Sequence, residues 1–429
     1  MTSPPPAARL RDLSGAQWKS GIAAWLGWLF DGLDMHLFTL VATPLVAELL
    51  LVSPSDPVVG ERGSLIQAAF LAGWALGGAF FGRIGDLIGR TRALSLTILT
   101  YAVFSGMGYF ATAWWQLLVF RFLAALGIGG EWAVGASLLA ETWPRSWRPW
   151  IAATLQTAVN IGILLACLAG WMLHDRPPGT IFLVGVLQAL LVFWIRRAVP
   201  EPEEWAEARR SPGVKRPGIR DLFRGEVAPV TWRVLLICAI ALTAHWTFMF
   251  WQQAQVRLLP EVAPLDAAEK NYYATAALFL LMFGSILGNY LAGWLAVLIG
   301  YRRAIATMLA AYAVAMLATY RTEPGWAGLR VALVVIGVCQ GVFGLFTMAL
   351  PPLFPTLLRT TGAGFCYNFG RIVSAAGVVF FGLFSAVGDP RLSLYHAGFL
   401  FWPAALVALL LPDPKEEPPP PPLVTGPTE

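Results

Sequence analysis

Twelve long apolar runs, separated by shorter polar connections, constrain this chain more than any other feature of its sequence. Each run is long enough to cross the hydrocarbon core of a bilayer as an α-helix, which takes about 20 apolar residues. With 57% hydrophobic and only 13% charged residues, a water-soluble fold would expose far too much apolar surface. The sequence therefore predicts an all-α membrane protein with twelve transmembrane helices. The approximate spans are 20–47, 63–83, 93–111, 115–142, 150–173, 179–199, 231–258, 271–298, 303–320, 326–352, 361–387 and 393–411.

The distribution of basic residues predicts the orientation of these helices. An even number of spans places both termini on one side. Of the 30 Lys and Arg residues, 21 fall in the termini and connections on that side and 7 in the opposite loops, while Arg121 and Arg371 lie within helices. Because cytoplasmic connections are enriched in Lys and Arg, we expect both termini in the cytoplasm and the protein in the cytoplasmic (inner) membrane.

The chain divides into five segments. Residues 1–19 form a cytoplasmic N-terminal segment that lacks the apolar core of a signal peptide. Six-helix bundles at 20–199 and 231–411 are joined by a polar cytoplasmic linker at 200–230. The proline-rich tail, 412–429, is predicted to be a disordered cytoplasmic segment.

Several glycine and arginine residues of the first bundle recur in the second at a constant offset of 211 residues. Asp86 departs from this relation, because it maps onto Val297. Parallel halves of this kind are typical of transporters with a binding site between the halves near mid-membrane. Gly82, Gly89, Arg92 and Arg148 map onto Gly293, Gly300, Arg303 and Arg359.

A charged turn punctuated by glycines connects the second and third predicted helices, with the pattern G-x3-D-x2-G-R-x-R. Glycines allow two helix ends to approach closely, and an aspartate can cap a helix or pair with nearby cations. A second charged run begins at Glu141 on the same face. The alternatives are an ordinary basic turn and surface ion pairs that contribute little. We expect a cytoplasmic charge network formed by Gly82, Asp86, Gly89, Arg90, Arg92, Glu141, Arg145 and Arg148.

Several ionisable residues fall inside predicted helices, where charge is costly and usually marks an ion or substrate pathway. Asp31 and Asp34 lie one turn apart on one side of the first helix. A rise of 1.5 Å per residue places Asp34 and Arg121 at about the same depth, roughly 21 Å from the cytoplasmic face. They can therefore pair, and protonation of Asp34 would release the arginine. A static buried ion pair is the alternative.

The eleventh predicted helix carries Arg371 about 15 Å from its end, and a buried arginine requires an anion. The 211-residue offset relates Asn160 to Arg371 and Asp34 to His245, which places four polar residues around one axis. His245 lies in an aromatic and amide-rich segment suited to a small amphipathic solute, although it could equally be a structural histidine. The candidate binding residues are Arg371, Asn368, Asn160, Gln156, His245 and Trp246.

Several motifs resemble the major facilitator superfamily. The turn from Gly82 to Arg92 is similar to the loop between the second and third helices of that superfamily, where it latches the cytoplasmic gate. Four further motifs resemble the organic-acid:proton symporters, which include sialate, aromatic-acid and monocarboxylate branches. They are D-G-x-D at Asp31–Asp34, G-G-E-W at Gly129–Trp132, A-E-T-W-P from Ala140 and G-x-G-F-C-Y-N-x-G-R at Gly362–Arg371.

The resemblance implies that Asp31, Asp34, Arg121 and Arg371 take part in proton coupling and substrate binding, and Glu131 is a further candidate for coupling. The sequence thus predicts proton-coupled uptake of a small carboxylate by alternating access, in a monomer surrounded by lipid. We expect no nucleic-acid partner, cofactor, metal site or enzymatic activity. Uptake of a neutral sugar is the nearest alternative, but it would leave Arg371 unpaired. Drug efflux and a nutrient sensor that does not transport are the others.

Overall fold

A computed structural model describes residues 9–53, 56–173, 175–210, 217–385 and 390–412. The predicted tail lies outside these ranges except for Pro412. The first half contains α1 (Gly15–Leu50), α2 (Pro57–Ile88), α3 (Arg90–Met107), α4 (Trp114–Thr142), α5 (Arg148–Met172), α6 (Phe182–Val186) and α7 (Ala189–Ala198). The linker contains α8 (Glu203–Arg210). The second half contains α9 (Val227–Arg257), α10 (Ala267–Ile299), α11 (Tyr301–Tyr320), α12 (Trp326–Gln340), α13 (Val342–Ala349), α14 (Arg359–Ser385), α15 (Pro390–Gly398) and α16 (Phe401–Leu409).

These helices follow the apolar runs of the sequence to within a few residues at each end. In the described ranges, ten helical segments are long and apolar enough to cross a membrane, and the bent α1 makes an eleventh. The helix α14 has 27 residues, a length of about 40 Å, and is the twelfth span by length.

The first helix has a well-defined start and a bend. Ser14 and Gln17 form a reciprocal capping box, in which each side chain accepts the backbone N–H of the other residue. The axis bends by 51° between Phe38 and Val41. Pro44 explains the bend, because a proline inside a helix removes one backbone hydrogen bond and clashes with the carbonyl four residues earlier.

The internal repeat is visible in the turns between helices. The backbone of Gly89 has a φ of 109° between α2 and α3, and Gly300 has a φ of 79° between α10 and α11. These left-handed conformations favour glycine, and the two residues lie 211 positions apart. One-turn 3₁₀ segments at Arg145–Trp147 and Thr356–Leu358 precede α5 and α14 at the same offset.

Close packing within each half depends on glycines at equivalent positions. A Cβ atom at Gly77 would lie 2.1 Å from the carbonyl oxygen of Leu126 in α4. A Cβ atom at Gly288 would lie 2.0 Å from that of Val338 in α12. Small residues of this kind let membrane helices approach backbone to backbone. The halves meet through α2 against α14 and α5 against α10.

The linker is more structured than the polar connection expected at 200–230. The helix α8 packs against the ends of α2, α4 and α14, and α9 begins at Val227. We call the end of the bundle that carries this linker the linker face. The start of α1 lies at the same face, where Gln17 Nε2 donates to the carbonyl of Thr142 at 3.0 Å.

The outer surface of the bundle is apolar. Large hydrophobic side chains on it are well exposed, as in α5 and α9, where Trp171 is 72% and Trp232 is 61% exposed. Such a surface suits lipid, which cannot hydrogen-bond to polar groups. The polar and charged side chains that line the cavity or form the buried ion pairs described below are instead turned inward.

Candidate functional site

A cavity of about 160 Å³ lies between the two halves. Its walls come from α1, α2, α4 and α5 of the first half and from α9, α10, α12, α13 and α14 of the second. This volume holds on the order of ten water-sized spaces, which is sufficient for a small organic solute. Mostly apolar walls with a few convergent polar groups are the usual form of a small-molecule site. The polar lining consists of Asp31, His36, Gln156, Asn160, His245, Ser285, Gln340 and Arg371.

Arg371 is the cation of this cavity. Its Nη1 donates to Oδ1 of Asn368, one turn earlier in α14, at 2.6 Å. Its guanidinium carbon lies 3.8 Å from the centroid of the Trp74 ring and 4.8 Å from that of Tyr367. Nε is buried without a hydrogen-bond partner, and in the described part of the chain no carboxylate lies within 4.0 Å of the guanidinium. The residue is therefore held in place but not neutralised by a direct ion pair.

The other predicted binding residues occupy two kinds of position. Gln156, Asn160, His245 and Trp246 line the cavity. Asn368 is fully buried, and its Nδ2 donates to the carbonyl of Gly364 at 2.8 Å. Asn368 thus does not line the cavity itself, but its side-chain amide holds the Arg371 guanidinium in position.

Trp74, Trp132 and Tyr367, which were not among the predicted binding residues, form much of the cavity wall together with Trp246. Trp132 of α4 and Tyr367 of α14 stack at 4.1 Å between ring centroids, and Trp74 of α2 lies 5.6 Å from Trp246 of α9. Both contacts join the two halves. The sequence offered no signal for a binding role of Trp74, Trp132 or Tyr367, because aromatic side chains also occur throughout the lipid-facing surface.

Asp34 and Arg121 form a buried ion pair outside the cavity. The Asp34 Oδ2 atom lies 3.1 Å from Arg121 Nη1, and both side chains are at most 1% exposed. Ser105 donates a further hydrogen bond to Asp34, and the guanidinium lies over the Phe70 ring at 4.5 Å. Of the four residues that the repeat relates around one axis, Asp34 alone is turned away from the cavity, because it pairs with α4 within its own half.

Two further acidic residues, Asp31 and Glu131, lie near this ion pair. Asp31 lines the cavity and interacts electrostatically with Glu131, Asp34 and Arg371. Glu131 is completely buried in α4. Within the described ranges, neither carboxylate oxygen of Glu131 has a hydrogen-bond partner.

At the linker face, Arg90 is surrounded by acceptors. Its Nη1 lies 2.7 Å from Asp86 Oδ1, and its Nη2 lies 2.7 Å from Glu141 Oε1. The same guanidinium donates to the carbonyl of Thr356 in the second half at 2.8 Å. Both carboxylates and the arginine are buried, so these are not the exposed ion pairs that contribute little.

Asp86 connects the halves by capping α14. Its Oδ2 accepts the backbone N–H of Thr361 at 2.8 Å and the Thr361 hydroxyl at 2.5 Å. A carboxylate at the first turn of a helix satisfies free N–H groups and interacts favourably with the helix dipole. Gly82 permits the approach, because a Cβ there would lie 2.8 Å from the carbonyl oxygen of Thr360.

Three residues that the prediction of this network omitted complete it, namely Arg359, Glu204 and Trp205. Arg359 Nη1 lies 3.2 Å from Glu141 Oε1 and 2.5 Å from Glu204 Oε1 of the linker helix. The indole of Trp205, also in α8, donates to the carbonyl of Asp86 at 3.1 Å. The linker thus closes over the ion pairs.

Three predicted network residues lie apart from these ion pairs. Arg92 and Arg145 are exposed, and the backbone N–H of Arg92 donates to Glu201 at 3.0 Å. The Arg148 guanidinium donates to the carbonyls of Ala140 and Trp143. It therefore neutralises the C-terminal end of α4 and pairs with no carboxylate in the part of the chain that the structure describes.

The described ranges contain no group of three or more His, Cys, Asp or Glu residues that could hold a metal ion. The four cysteines, Cys167, Cys238, Cys339 and Cys366, are free thiols.

Two helical halves, a central cavity with a buried cation and buried ion pairs that join the halves are features of membrane transporters. The model of the Major Facilitator Superfamily matches residues 24–258, more than half of the chain, and the chain belongs to this superfamily. This result confirms the resemblance and the twelve-helix fold predicted from sequence, and identifies the protein as a transporter, not an enzyme.

Individual relatives and a solved structure are similar over most of the chain. The sialic acid transporter NanX of Escherichia coli is 26% identical over 412 residues, which cover 94% of this chain and 95% of that protein. A probable 4-methylmuconolactone transporter of Cupriavidus pinatubonensis is 30% identical, with 87% and 85% covered. The proton:xylose symporter XylE has a TM-score of 0.72 at 15% identity, with 93% and 96% covered, a likeness of fold.

Proposed function

We propose that this transporter carries a small organic acid into the cell together with protons by alternating access. The observation that carries the proposal is Arg371, a cation in the central cavity without a carboxylate partner in the described ranges. A charged side chain at mid-membrane costs at least about 2.5–3.5 kcal/mol. A substrate anion would offset this cost.

The geometry around Arg371 favours a carboxylate. A guanidinium presents paired N–H donors that match the two oxygens of a carboxylate. Asn368 and Trp74 fix the plane of the group from one edge and one face, and Nε has no partner of its own. NanX is named as a transporter of sialic acid, which is an acid, and this agrees with an anionic substrate.

The rest of the cavity suits a small amphipathic body attached to that carboxylate. The rings of Trp74, Trp132, Trp246 and Tyr367 supply apolar faces. The amides of Gln156 and Asn160, with His245, supply hydrogen-bonding groups for substituents on the substrate.

We assign proton coupling to the charged residues of the first half, Asp31, Asp34, Arg121 and Glu131. Asp31 is the member that lines the cavity, so it can exchange protons with the aqueous side and sense the charge of a bound anion. Coupling of this kind requires that binding and protonation influence each other.

The ion pairs at the linker face act as the cytoplasmic gate in this proposal. They join the halves through Asp86, Glu141 and Arg359, so the cavity is closed on that face and would load its substrate from outside. Both termini and the linker would then lie in the cytoplasm, with the protein in the inner membrane. We propose that the monomer is the working unit.

Uptake into proteoliposomes of the purified protein tests the proposal. The panel consists of sialic acid, benzoate and lactate with xylose as a neutral sugar, each measured with and without an inward proton gradient. We expect accumulation of at least one acid, dependent on the gradient, and none of xylose. Accumulation of xylose alone would identify a sugar transporter that uses Gln156 and Asn160 for hydroxyl groups, and would contradict the proposal.

A further inference from the structure

The two halves meet along two seams, and the cavity is lined from both of them. The first seam is formed by α2 and α14, and the second by α5 and α10. Arg371 belongs to the first seam, because its guanidinium rests on the Trp74 ring of α2. At the second seam the polar groups are uncharged, since α5 contributes Gln156 and Asn160 to the cavity wall and α10 contributes Ser285. The cavity therefore has a cationic side and a neutral polar side.

Asn289 continues the neutral seam one turn beyond Ser285 in α10, toward the linker face. It is 1% exposed, and neither atom of its amide has a hydrogen-bond partner in the described ranges. Nδ2 of Asn160 is likewise buried without a partner there. Nearly all buried polar groups in proteins are hydrogen-bonded, because an unpaired one loses its hydration without compensation. The amide of Asn289 is therefore a donor and an acceptor that a ligand can use.

Gly344 of α13 shows that this amide lies next to the cavity wall. A Cβ atom at Gly344 would lie 3.5 Å from Asn289 Oδ1 and 3.5 Å from the Cβ atom of Gln156, which lines the cavity. These are ordinary van der Waals distances, so the space between the two side chains holds a small group. Nearer the linker face the seam is closed, because a Cβ atom at Gly293 would lie 2.9 Å from the carbonyl oxygen of Pro149. The polar part of the seam thus has a closed floor.

We propose that the second seam is a distal subsite, formed by Gln156, Asn160, Ser285 and Asn289, that binds a neutral hydroxyl group of the transported acid. The carboxylate pairs with Arg371 at the first seam, and the hydroxyl group at the far end of the molecule exchanges hydrogen bonds with Asn289. A hydroxyl group is both donor and acceptor, as is an amide. The inference rests on the proposed function, since Arg371 orients the molecule, and it narrows the substrate class to hydroxylated monocarboxylates.

The distal subsite disfavours a second carboxylate. Its four polar side chains carry no charge, and among the described residues that line the cavity Arg371 is the only lysine or arginine. A carboxylate buried without a cation loses more hydration free energy than neutral hydrogen bonds restore. A dicarboxylate should therefore bind less well than a hydroxy acid of the same length, although it also presents a carboxylate to Arg371.

Three probes that share one ring test the distal subsite. Benzoate carries only the carboxylate, 4-hydroxybenzoate adds a neutral hydroxyl group at the far end, and terephthalate adds a second carboxylate there. We expect the purified protein to bind 4-hydroxybenzoate about tenfold more tightly than benzoate, and at least about tenfold more tightly than terephthalate. Equal Kd values for benzoate and 4-hydroxybenzoate would overturn the subsite. Tightest binding of terephthalate, or no binding of any of the three, would overturn it as well.

Asn289→Leu removes the amide and keeps a branched side chain of similar volume. The ratio of the Kd for benzoate to the Kd for 4-hydroxybenzoate should fall from about ten to about one. The thermal midpoint should stay the same or rise, because an apolar group replaces an amide without partners in the described ranges. A purely structural asparagine would give the reverse result, a lower midpoint with an unchanged ratio. Tyr290→Leu, on the outer surface at 41% exposure, is the matched control and should leave the ratio unchanged.

Gly344→Ala places one methyl group in the space between Asn289 and Gln156. The nearest atoms lie 3.5 Å from the added Cβ atom, and alanine favours a helix over glycine, so the fold should be kept. We expect weaker binding of 4-hydroxybenzoate with little change for benzoate. This variant carries the test if Asn289→Leu does not fold. Gly328→Ala, where a Cβ atom would meet nothing within 4 Å, should leave the ratio unchanged, and an unchanged ratio in Gly344→Ala would contradict the subsite.

The carboxylate site and the distal subsite fail independently. Arg371→Lys should weaken binding of benzoate and 4-hydroxybenzoate by the same factor, which leaves their ratio intact, whereas Asn289→Leu should change the ratio. If Arg371→Lys leaves both Kd values unchanged, the proposed function loses its anion site, and the ratios of the wild type and Asn289→Leu still decide whether the subsite exists. If Arg371→Lys weakens both and Asn289→Leu keeps the wild-type ratio, the distal subsite alone is wrong.

Discussion

The guanidinium carbon of Arg371 lies 3.8 Å from the centroid of the Trp74 ring, so a cation of the second half rests on an aromatic face of the first. An arrangement of this kind is worth about 2 kcal/mol when it is shielded from water. It also fixes the plane in which the guanidinium presents its donors. We therefore expect Trp74 to contribute to substrate affinity by holding Arg371 in place.

Trp74→Leu should weaken binding of the transported acid about five- to thirtyfold, the equivalent of about 1–2 kcal/mol. The measurement is the Kd of the purified protein. Trp232→Leu is the matched control, because Trp232 is 61% exposed on the outer surface, and it should bind normally. Equal affinity of the wild type and Trp74→Leu would remove the role given to this ring.

Gly78→Ala should disturb Arg371 through its support. A Cβ at Gly78 would lie 1.6 Å from Asn368 Nδ2, and Asn368 holds the Arg371 guanidinium. Overpacking of this kind costs about 1–3 kcal/mol, so we expect a lower thermal midpoint and weaker substrate binding. Gly328→Ala, where a Cβ would meet nothing within 4 Å, should change neither, and a normal Kd in Gly78→Ala would contradict the positioning role of Asn368.

Asp86→Asn should open the linker face more often. The substitution removes the charge that caps α14 and pairs with Arg90, and hydrogen bonds to charged groups contribute about 1.5–3 kcal/mol each. A cysteine at Ala153, which is buried between α5 and α10 near Gly293, should then react faster with a thiol reagent. Glu203→Gln, an exposed carboxylate of the linker, is the control, and an unchanged labelling rate in Asp86→Asn would argue against a gate.

The orientation can be tested with single cysteines at exposed positions. Arg210 lies in the linker and Ala263 in the opposite connection. In intact cells, a reagent that does not cross membranes should label Ala263→Cys, and it should label Arg210→Cys only after permeabilisation. Labelling of both from the same side would be incompatible with the proposed topology.

Sequence predicted the helices well, because hydropathy and length decide which segments cross a membrane. Gly89 and Gly300 were also predictable as turn residues, since few other residues adopt their backbone conformation. The roles of individual side chains were not. Asp31 and Asp34 lie one turn apart, yet of the two only Asp31 lines the cavity. The side chain of Asp34 points away from the cavity, because it pairs with Arg121 and accepts a hydrogen bond from Ser105.

Equivalent positions in the repeat show the same limit. Arg148 and Arg359 are each the first residue of a helix at the linker face, α5 and α14. Arg148, however, binds the carbonyls at the end of α4, whereas Arg359 pairs with Glu141 and Glu204. The difference depends on which half faces the linker helix. No local pattern in a single sequence predicts which partners these arginines choose. The hydrogen bond from the Trp205 indole to the carbonyl of Asp86 could not be predicted for the same reason.

The central claim is that Arg371 binds the carboxylate of the substrate, and the Kd of Arg371→Lys for the transported acid tests it most directly. Lysine keeps the charge but loses the paired donors. We predict a loss of about 1.5–3 kcal/mol, which is roughly ten- to hundredfold in Kd, with a thermal midpoint close to that of the wild type. Arg371→Ala should bind still more weakly. An unchanged Kd of Arg371→Lys for every carboxylate that the wild type transports would contradict the claim.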